Sequence, residues 1–420
     1  MIVRKGPPVQ WLVTVLLFLY PVVALAVQNA GNAILFLLLV IAAVALALSA
    51  RPDNVSFRVL CKNYWPLHLA MMSACLAVLL NQMWSGHFAF KFYDRGVRLA
   101  MFPFVFWVLF FVPFKYMKLL QWSFVVAVFV ATVKAYIFTK GGHIRDGNIG
   151  FLSIIAYSDI TMLVGMLCLT SLADVKAKNK LIFCILILAS MAGAYTSVLT
   201  ATRGGWLVVP FLLIFFFGFS GSTVRQKCTW LGMLVVVPIL MFSLNQEALS
   251  RLDNTQSDLI SYSQGEGKST STGIRLQLWG AALHLFARAP VFGIGRENYE
   301  SSIKEMADKH EVTRELTNLA HSHNEILFNM AISGLFGLLS TLSLYLVPAY
   351  FFARELRNKS ADVRIAAKSG CVLVIGFFAF GLTDLMFFWP VLCGYYALMV
   401  SVFLVAIIKA KNEEGRVPSP

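Results

Sequence analysis

The sequence predicts an all-α polytopic membrane protein, and three observations carry that reading. The 420 residues are 58% hydrophobic and only 13% charged, with a mean hydropathy of +0.73, too apolar for a soluble globular chain. Apolar runs of about 20 residues recur, each long enough to cross a hydrocarbon core of about 30 Å. The runs are continuous rather than alternating. They therefore fit helices and not barrel strands, the other arrangement that satisfies a backbone in lipid.

In chain order, the spans are predicted at 9–27, 30–50, 65–85, 99–114, 119–139, 150–172, 180–199, 204–220, 226–245, 325–353, 365–383 and 388–408. About twelve spans put both termini on one side. The connections on that side hold the basic groups around Arg4, Arg51, Lys115, Lys176, Arg225, Arg354 and Lys409, with few acids. By the positive-inside bias, that side is cytoplasmic. The net charge of +14 is spread over these small groups. No RNP-like, zinc-finger or basic-region pattern accompanies it, so nucleic acid is not a predicted partner. The seven cysteines form no C-x-x-C pair and avoid the long polar segment, so no structural disulfide is predicted there. The first run has Arg4 and Lys5 before it and no clear cleavage site after it, which reads as a retained span.

The chain divides into spans over 1–245, a long polar segment over 246–324, and three spans with a short cytoplasmic tail over 325–420. The polar segment falls on the face opposite the termini, which is the periplasm in a bacterium. ATP is absent there, so chemistry on that face needs an activated substrate. Within the segment, 265–273 reads as a Gly/Ser/Thr loop. Ile274, Leu278, Ala281, Ala282, Leu285 and Phe286 have amphipathic helical spacing, ended by Pro290, Gly293 and Gly295. The apolar face of that helix is expected to lie on the bilayer, as one wall of a substrate entrance. A second, more polar helix is predicted over 297–308.

The residues that carry chemistry centre on His321-Ser322-His323-Asn324-Glu325, where the polar segment enters a span. Ser322 and Glu325 fit a capping box, which places His323 in the first helical turn. The positive end of the dipole disfavours imidazolium there, leaving a ring able to accept a proton. Capping alone accounts for Ser322 and Glu325 but not for His323. His321, His323 and Glu325 also offer two nitrogens and an oxygen to a metal. No cysteine or acidic cluster completes that set, so no metal is predicted. In Thr200–Trp206, Thr202 can cap the next helix, and Gly204 and Gly205 let a ligand approach the backbone. Arg203 there suits a phosphate, or else snorkels at the interface. Ser271–Arg275 has the same grammar, with Arg275 either on a phosphate or solvated. Lys134, Asp159 and Asp384 lie in or at the ends of spans. A charge at mid-bilayer costs about 2.5–3.5 kcal/mol, so each should face the interior or a partner. Asp384 precedes an aromatic belt of Phe387, Phe388 and Trp389, and either orients a His or Arg or holds a helix end.

Taken in order, Thr202-Arg203, Gly273-Ile274-Arg275-Leu276 with Pro290 downstream, and His321–Glu325 resemble the O-antigen ligase family. Its superfamily includes O-antigen polymerases and bacterial protein O-oligosaccharyltransferases. The span layout with one large late loop matches as well. The resemblance implies a glycosyltransferase of the C-type membrane fold in the bacterial inner membrane, needing no metal or cofactor. It implies a donor glycan on undecaprenyl diphosphate and a hydroxyl of lipid A–core oligosaccharide as acceptor. It also implies His323 as the base and Arg203 and Arg275 as holders of the diphosphate, with His321 a further substrate-binding candidate. Attack opposite the leaving group inverts the anomeric centre. Two alternatives stay open: a polymerase that extends another lipid-linked repeat, and a transporter or flippase for a lipid-linked sugar. Pseudo-symmetry between halves would favour transport, and none is evident in the sequence.

Overall fold

Backbone groups in a hydrocarbon layer must be paired within the chain, and long apolar runs do this as helices. A computed structural model describes residues 7–170, 179–236, 239, 261–262, 264 and 266–414. Among these, eight helices are long and apolar enough to cross a membrane: Pro8–Ala26, Ala30–Ala47, Trp65–Ser85, Phe114–Phe138, Lys180–Leu199, Glu325–Ala353, Ala361–Gly381 and Pro390–Glu414. Ile154–Thr170 and Gly204–Phe219 are shorter apolar helices. A short antiparallel hairpin, Asn148–Ile149 with Leu152–Ser153, precedes the first of these. The protein is an all-α polytopic membrane protein.

The expected span at 99–114 is instead a broken run. It consists of Asp94–Ala100, Phe102–Val108 and the 3-10 turn Leu109–Phe111. Pro103 lies in the first turn of the second piece, where its missing N–H costs nothing; it would interrupt a continuous helix. The expected span at 226–245 is described only as Val224–Leu231 and Gly232–Val236. The rest of it, and most of the polar segment up to residue 265, lies outside the described residues. Pro390–Glu414 sits at the centre of the bundle. From Val391 to Val405 every residue is buried, which suits a helix apolar on all sides.

The Glu325–Ala353 helix is interrupted at Gly334, which has φ 62° and ψ −145°. Such a break frees backbone groups that need partners in lipid. The loop Pro290–Gly295 supplies them. Ile294 N–H donates to the Ala331 carbonyl at 3.0 Å, Gly295 N–H to Ile332 at 3.0 Å, and Leu335 N–H to Pro290 at 2.7 Å. The Val291 carbonyl occupies the place a Cβ on residue 334 would need, so both the angle and the space require glycine. The Asn81 amide holds the Phe292 and Gly293 carbonyls at 2.7 and 3.2 Å from the other side.

This wedge seats the two helices of the polar segment. The first runs Ser271–Arg288, started by Thr270, whose hydroxyl accepts from Gly273 N–H at 3.1 Å. The second runs Tyr299–Asp308. Leu278, Ala281 and Leu285 pack with Tyr299 and Ile303 onto Phe328, Ala331 and Leu385. The expectation that the 274–289 face lies on the bilayer is therefore overturned: that face is consumed by packing on the protein itself.

Contacts sort the bundle into two ends. At one, Lys409 pairs with Asp53, Lys118 with Asp362, and Lys411 with Glu355 at 2.6 Å. At the other, the turns around Arg203, Phe292, His323 and Asp384 meet. Lys134 belongs to this second end. Its ammonium donates to the Leu25 and Ala26 carbonyls at 3.0 Å each, which closes the C-terminus of the first helix.

Candidate active site

The Glu325–Ala353 helix starts at this end, and its cap differs from the capping box expected. Asn324 is the N-cap: its side-chain oxygen accepts from Leu327 N–H at 3.0 Å, and its amide donates to the Leu382 carbonyl at 3.2 Å. The Ser322 hydroxyl turns instead to the Asn324 carbonyl at 3.0 Å. Glu325 is the first helical residue. Its carboxylate is drawn inward, accepting from Phe387 N–H at 2.9 Å and from the Asn329 amide at 3.3 Å. His323 consequently lies before the helix rather than in its first turn. Its backbone is left-handed, with φ 51°. That conformation costs a non-glycine residue about 1–2 kcal/mol, and such strain is concentrated at functional sites.

The strained turn aims the His323 ring at Asp384, with Nδ1 to Oδ1 at 3.1 Å. A carboxylate is an acceptor only, so it keeps the proton on Nδ1 and leaves the Nε2 lone pair outward. The His323 side chain is 21% exposed and that of Asp384 is 4% exposed, so the ring is reachable and its partner is not. Burial acts to raise the Asp384 pKa. The hydrogen bond and charge of His323, then the charge of His321, outweigh it and hold the carboxyl below its ordinary value. His321 packs edge-on to His323, ring centroids 4.4 Å apart, and its Nδ1 accepts the His323 backbone N–H at 3.3 Å. Burial and the neighbouring His323 lower its pKa from 6.5 to about 4.

His321, His323 and Asp384 also form a candidate metal donor set, with ligating atoms all within 4.8 Å of one another. The carboxylate in that set is Asp384. Glu325, the sequence candidate, is turned away and already engaged.

The Arg203 turn leans on the same region. A Cβ on Gly204 would meet the Thr383 hydroxyl at 2.7 Å, and one on Gly205 would meet the Asp159 carboxylate. These glycines make room for protein and not for a ligand. Thr202 does not cap the next helix; its hydroxyl is buried without a hydrogen-bond partner, as are both Asp159 oxygens. The charges of Asp384 and Arg275 both act on Asp159. The structure thus draws Arg203, Arg275, Asp159, Asp384 and His323 to one end of the bundle. The expected aromatic belt is divided: Phe387 is buried against Tyr345, Phe377 and Tyr396, while Phe388 lies against His321.

Sequence reasoning missed Arg95 and Arg296. Both act electrostatically on His321. The only local signals were the basic loop at 91–98 and the arginine after Gly293 and Gly295.

Residues 186–342 match the family described as O-Antigen ligase. An O-antigen ligase of Escherichia coli strain K12 is 26% identical over 272 residues, which cover 63% of this chain and 60% of that protein. An uncharacterized protein of Haemophilus influenzae strain Rd is 24% identical over 249 residues, 57% of each chain. The chain thus spans about three fifths of the length of these relatives. The matched stretch, residues 186–342, holds Arg203, Arg275, His321 and His323, and over it the chain is similar to the O-antigen ligase family.

Proposed function

We propose that this protein is an O-antigen ligase, a glycosyltransferase that moves a glycan from undecaprenyl diphosphate to a hydroxyl of lipid A–core oligosaccharide. The observation that carries the reading is the His323–Asp384 pair, strained and reachable, at the end of the bundle where the turn after Arg203 packs on Thr383. The acceptor oxygen attacks the anomeric carbon and its proton passes to His323 Nε2. The bond from that carbon to the diphosphate breaks, and its electron pair leaves with the diphosphate oxygen. Arg203 and Arg275 stabilise the charge that develops there, more in the transition state than in the ground state. Asp384 orients the imidazole and stabilises its protonated form. The products are the glycosylated core and undecaprenyl diphosphate, with the anomeric centre inverted.

The same reading puts the end that carries Lys118, Lys409 and Lys411 in the bacterial cytoplasm with both termini, by the positive-inside bias. The histidine end is then periplasmic, on the inner membrane. The full layout proposed is about twelve spans of the C-type fold in 1–245 and 325–420, with 246–324 outside the membrane. No metal takes part in the proposed reaction.

Reconstitution of purified protein with defined donor and acceptor tests this. Wild-type protein should form a covalent product that persists after metal chelation. His323→Ala should abolish transfer while donor binding stays largely intact. Normal ligation by that variant would remove the mechanism, and loss of activity on chelation would favour the metal cluster instead. A knockout separates ligase from polymerase. Losing a ligase leaves core lipid bare while lipid-linked polymer accumulates; losing a polymerase leaves core with a single repeat.

A further inference from the structure

A cavity of about 80 Å³ has Phe328 and Phe388, the two rings packed on His321, among its walls, and it is several times the roughly 10–15 Å³ that one water needs. Arg95, Arg296, Glu325, Phe328, Asn329 and Phe388 are among its walls. The Arg95 guanidinium lies 3.9 Å over the Phe388 ring, and that of Arg296 lies 5.3 Å from the Phe328 ring. The same two rings flank His321 at 5.0 and 6.4 Å. Stacking holds a guanidinium in place through its face and leaves its in-plane N–H donors unspent.

The carboxylates nearby do not use those donors up. Arg95 makes no ion pair or hydrogen bond among the described residues. Its neighbour Asp94 is engaged by Arg98 at 2.9 Å. The Nε of Arg296 is buried without a partner. Its other nitrogen contact, to Glu300 at 3.6 Å, is to a side chain that is 62% exposed, which is worth little. Glu325 faces the cavity but already accepts from Phe387 N–H and Asn329. Both guanidinium-bearing side chains line the same cavity. Two such groups with spare donors at a cavity fit a tetrahedral oxyanion.

We propose that Arg95 and Arg296 form a second oxyanion subsite, which takes a phosphate-class group carried by the acceptor glycolipid. This rests on the ligase reading above, and it assigns the two arginine pairs to different substrates. Arg95 and Arg296 stand on Phe388 and Phe328, the two rings packed on His321, whereas Arg203 and Arg275 lie on other turns of the chain. An acceptor anchored beside His321 would hold its hydroxyl near His323. A donor diphosphate in this subsite would be the competing source of the same chemistry.

The test uses the full-length protein in nanodiscs, with lipid A–core as isolated and after enzymatic dephosphorylation. Arg95→Gln with Arg296→Gln should raise the acceptor KM by about tenfold or more, the size of losing charge-assisted hydrogen bonds, and leave the donor KM within about twofold. Dephosphorylated acceptor should bind wild type and variant alike. Arg95→Lys with Arg296→Lys should recover part of the affinity, which a merely misfolded site would not do. Native mass spectrometry of the two acceptor forms on wild type and variant reads the same preference without turnover. The preference is thus decided even if wild type forms no product, an outcome that sinks the ligase reading alone. A rise in donor KM instead, or equal binding of both acceptor forms by wild type, overturns the subsite.

Discussion

Lys409 and Asp159 are both buried ionisable side chains in an apolar bundle, and the fold treats them oppositely. Lys409 pairs with Asp53 and donates to the Phe110 carbonyl at 2.9 Å. Asp159, at the other end, has neither oxygen hydrogen-bonded by protein. The contrast extends to their neighbours. Lys118 and Lys411 have carboxylates across helix boundaries, while among the described residues the Arg296 Nε and the Thr202 hydroxyl have no hydrogen-bond partner. A buried polar group without a partner costs about 1–3 kcal/mol, so a fold that keeps several together is holding them for something else. Under the proposed function, charge at one end mainly ties helices, and the unpartnered groups at the other are left for a ligand.

The contrast predicts that losing the proton acceptor or the anion-holding arginines at the histidine end costs rate and not stability. The largest effect belongs to His323→Asn. Asparagine tolerates the left-handed backbone but cannot take the proton, so transfer should fall by about 10²–10⁴-fold with the unfolding temperature unchanged. A stable variant that still transfers at the wild-type rate would break the comparison at its strongest point. Arg203→Ala and Arg275→Ala come next. Each should lower the rate by about 10²–10³-fold, the usual loss of one charge-stabilising donor, and initial-rate measurements at saturating donor check it.

A smaller effect comes from pH. Burial and His323 lower the His321 pKa from 6.5 to about 4. The unfolded chain therefore takes up the proton first as the solution is acidified. Stability from this group is intact above about pH 6.5 and is lost between 6.5 and 4, on the order of 3 kcal/mol in all. Chemical unfolding of wild type and His321→Phe across that window checks it. The variant should lose less stability on acidification, and parallel curves would count against the buried neutral ring.

Much of this was legible in the sequence, for reasons that differ by element. The spans were readable because lipid imposes length and composition on each run separately. Arg203, Arg275 and His323 stood out as candidates because each sits among small polar residues at a helix start, which is a local pattern. Orienting a His or Arg was one of two roles open to Asp384 from sequence, but that its partner is His323, 61 residues away, no local pattern carries. Nor does one announce the break at Gly334, since the loop at 290–295 that satisfies it is distant in sequence. The cap was misassigned because Ser322 and Asn324 are both good N-caps. Only the contact of Asn324 with the Leu382 carbonyl selects between them. Arg95 and Arg296 resemble ordinary surface arginines until Phe388 and Phe328 are seen beneath them.

The smallest effect sharpens the comparison from the quiet end. Lys411 bonds Glu355 at 2.6 Å, with side chains 41% and 9% exposed. The pair joins the Pro390–Glu414 helix to the segment just after Ala353, far from the imidazoles. Glu355 also accepts from the Asn358 amide at 3.2 Å and lies 3.3 Å from Arg354, so losing Lys411 does not strand the carboxylate. Partial exposure screens the pair, and the loss in Lys411→Gln should be no more than about 1 kcal/mol. The KM for either substrate and the turnover rate should stay at wild-type values. A drop in turnover without a drop in unfolding temperature would mean that charge at this end also serves the reaction, and the division between the two ends would not hold.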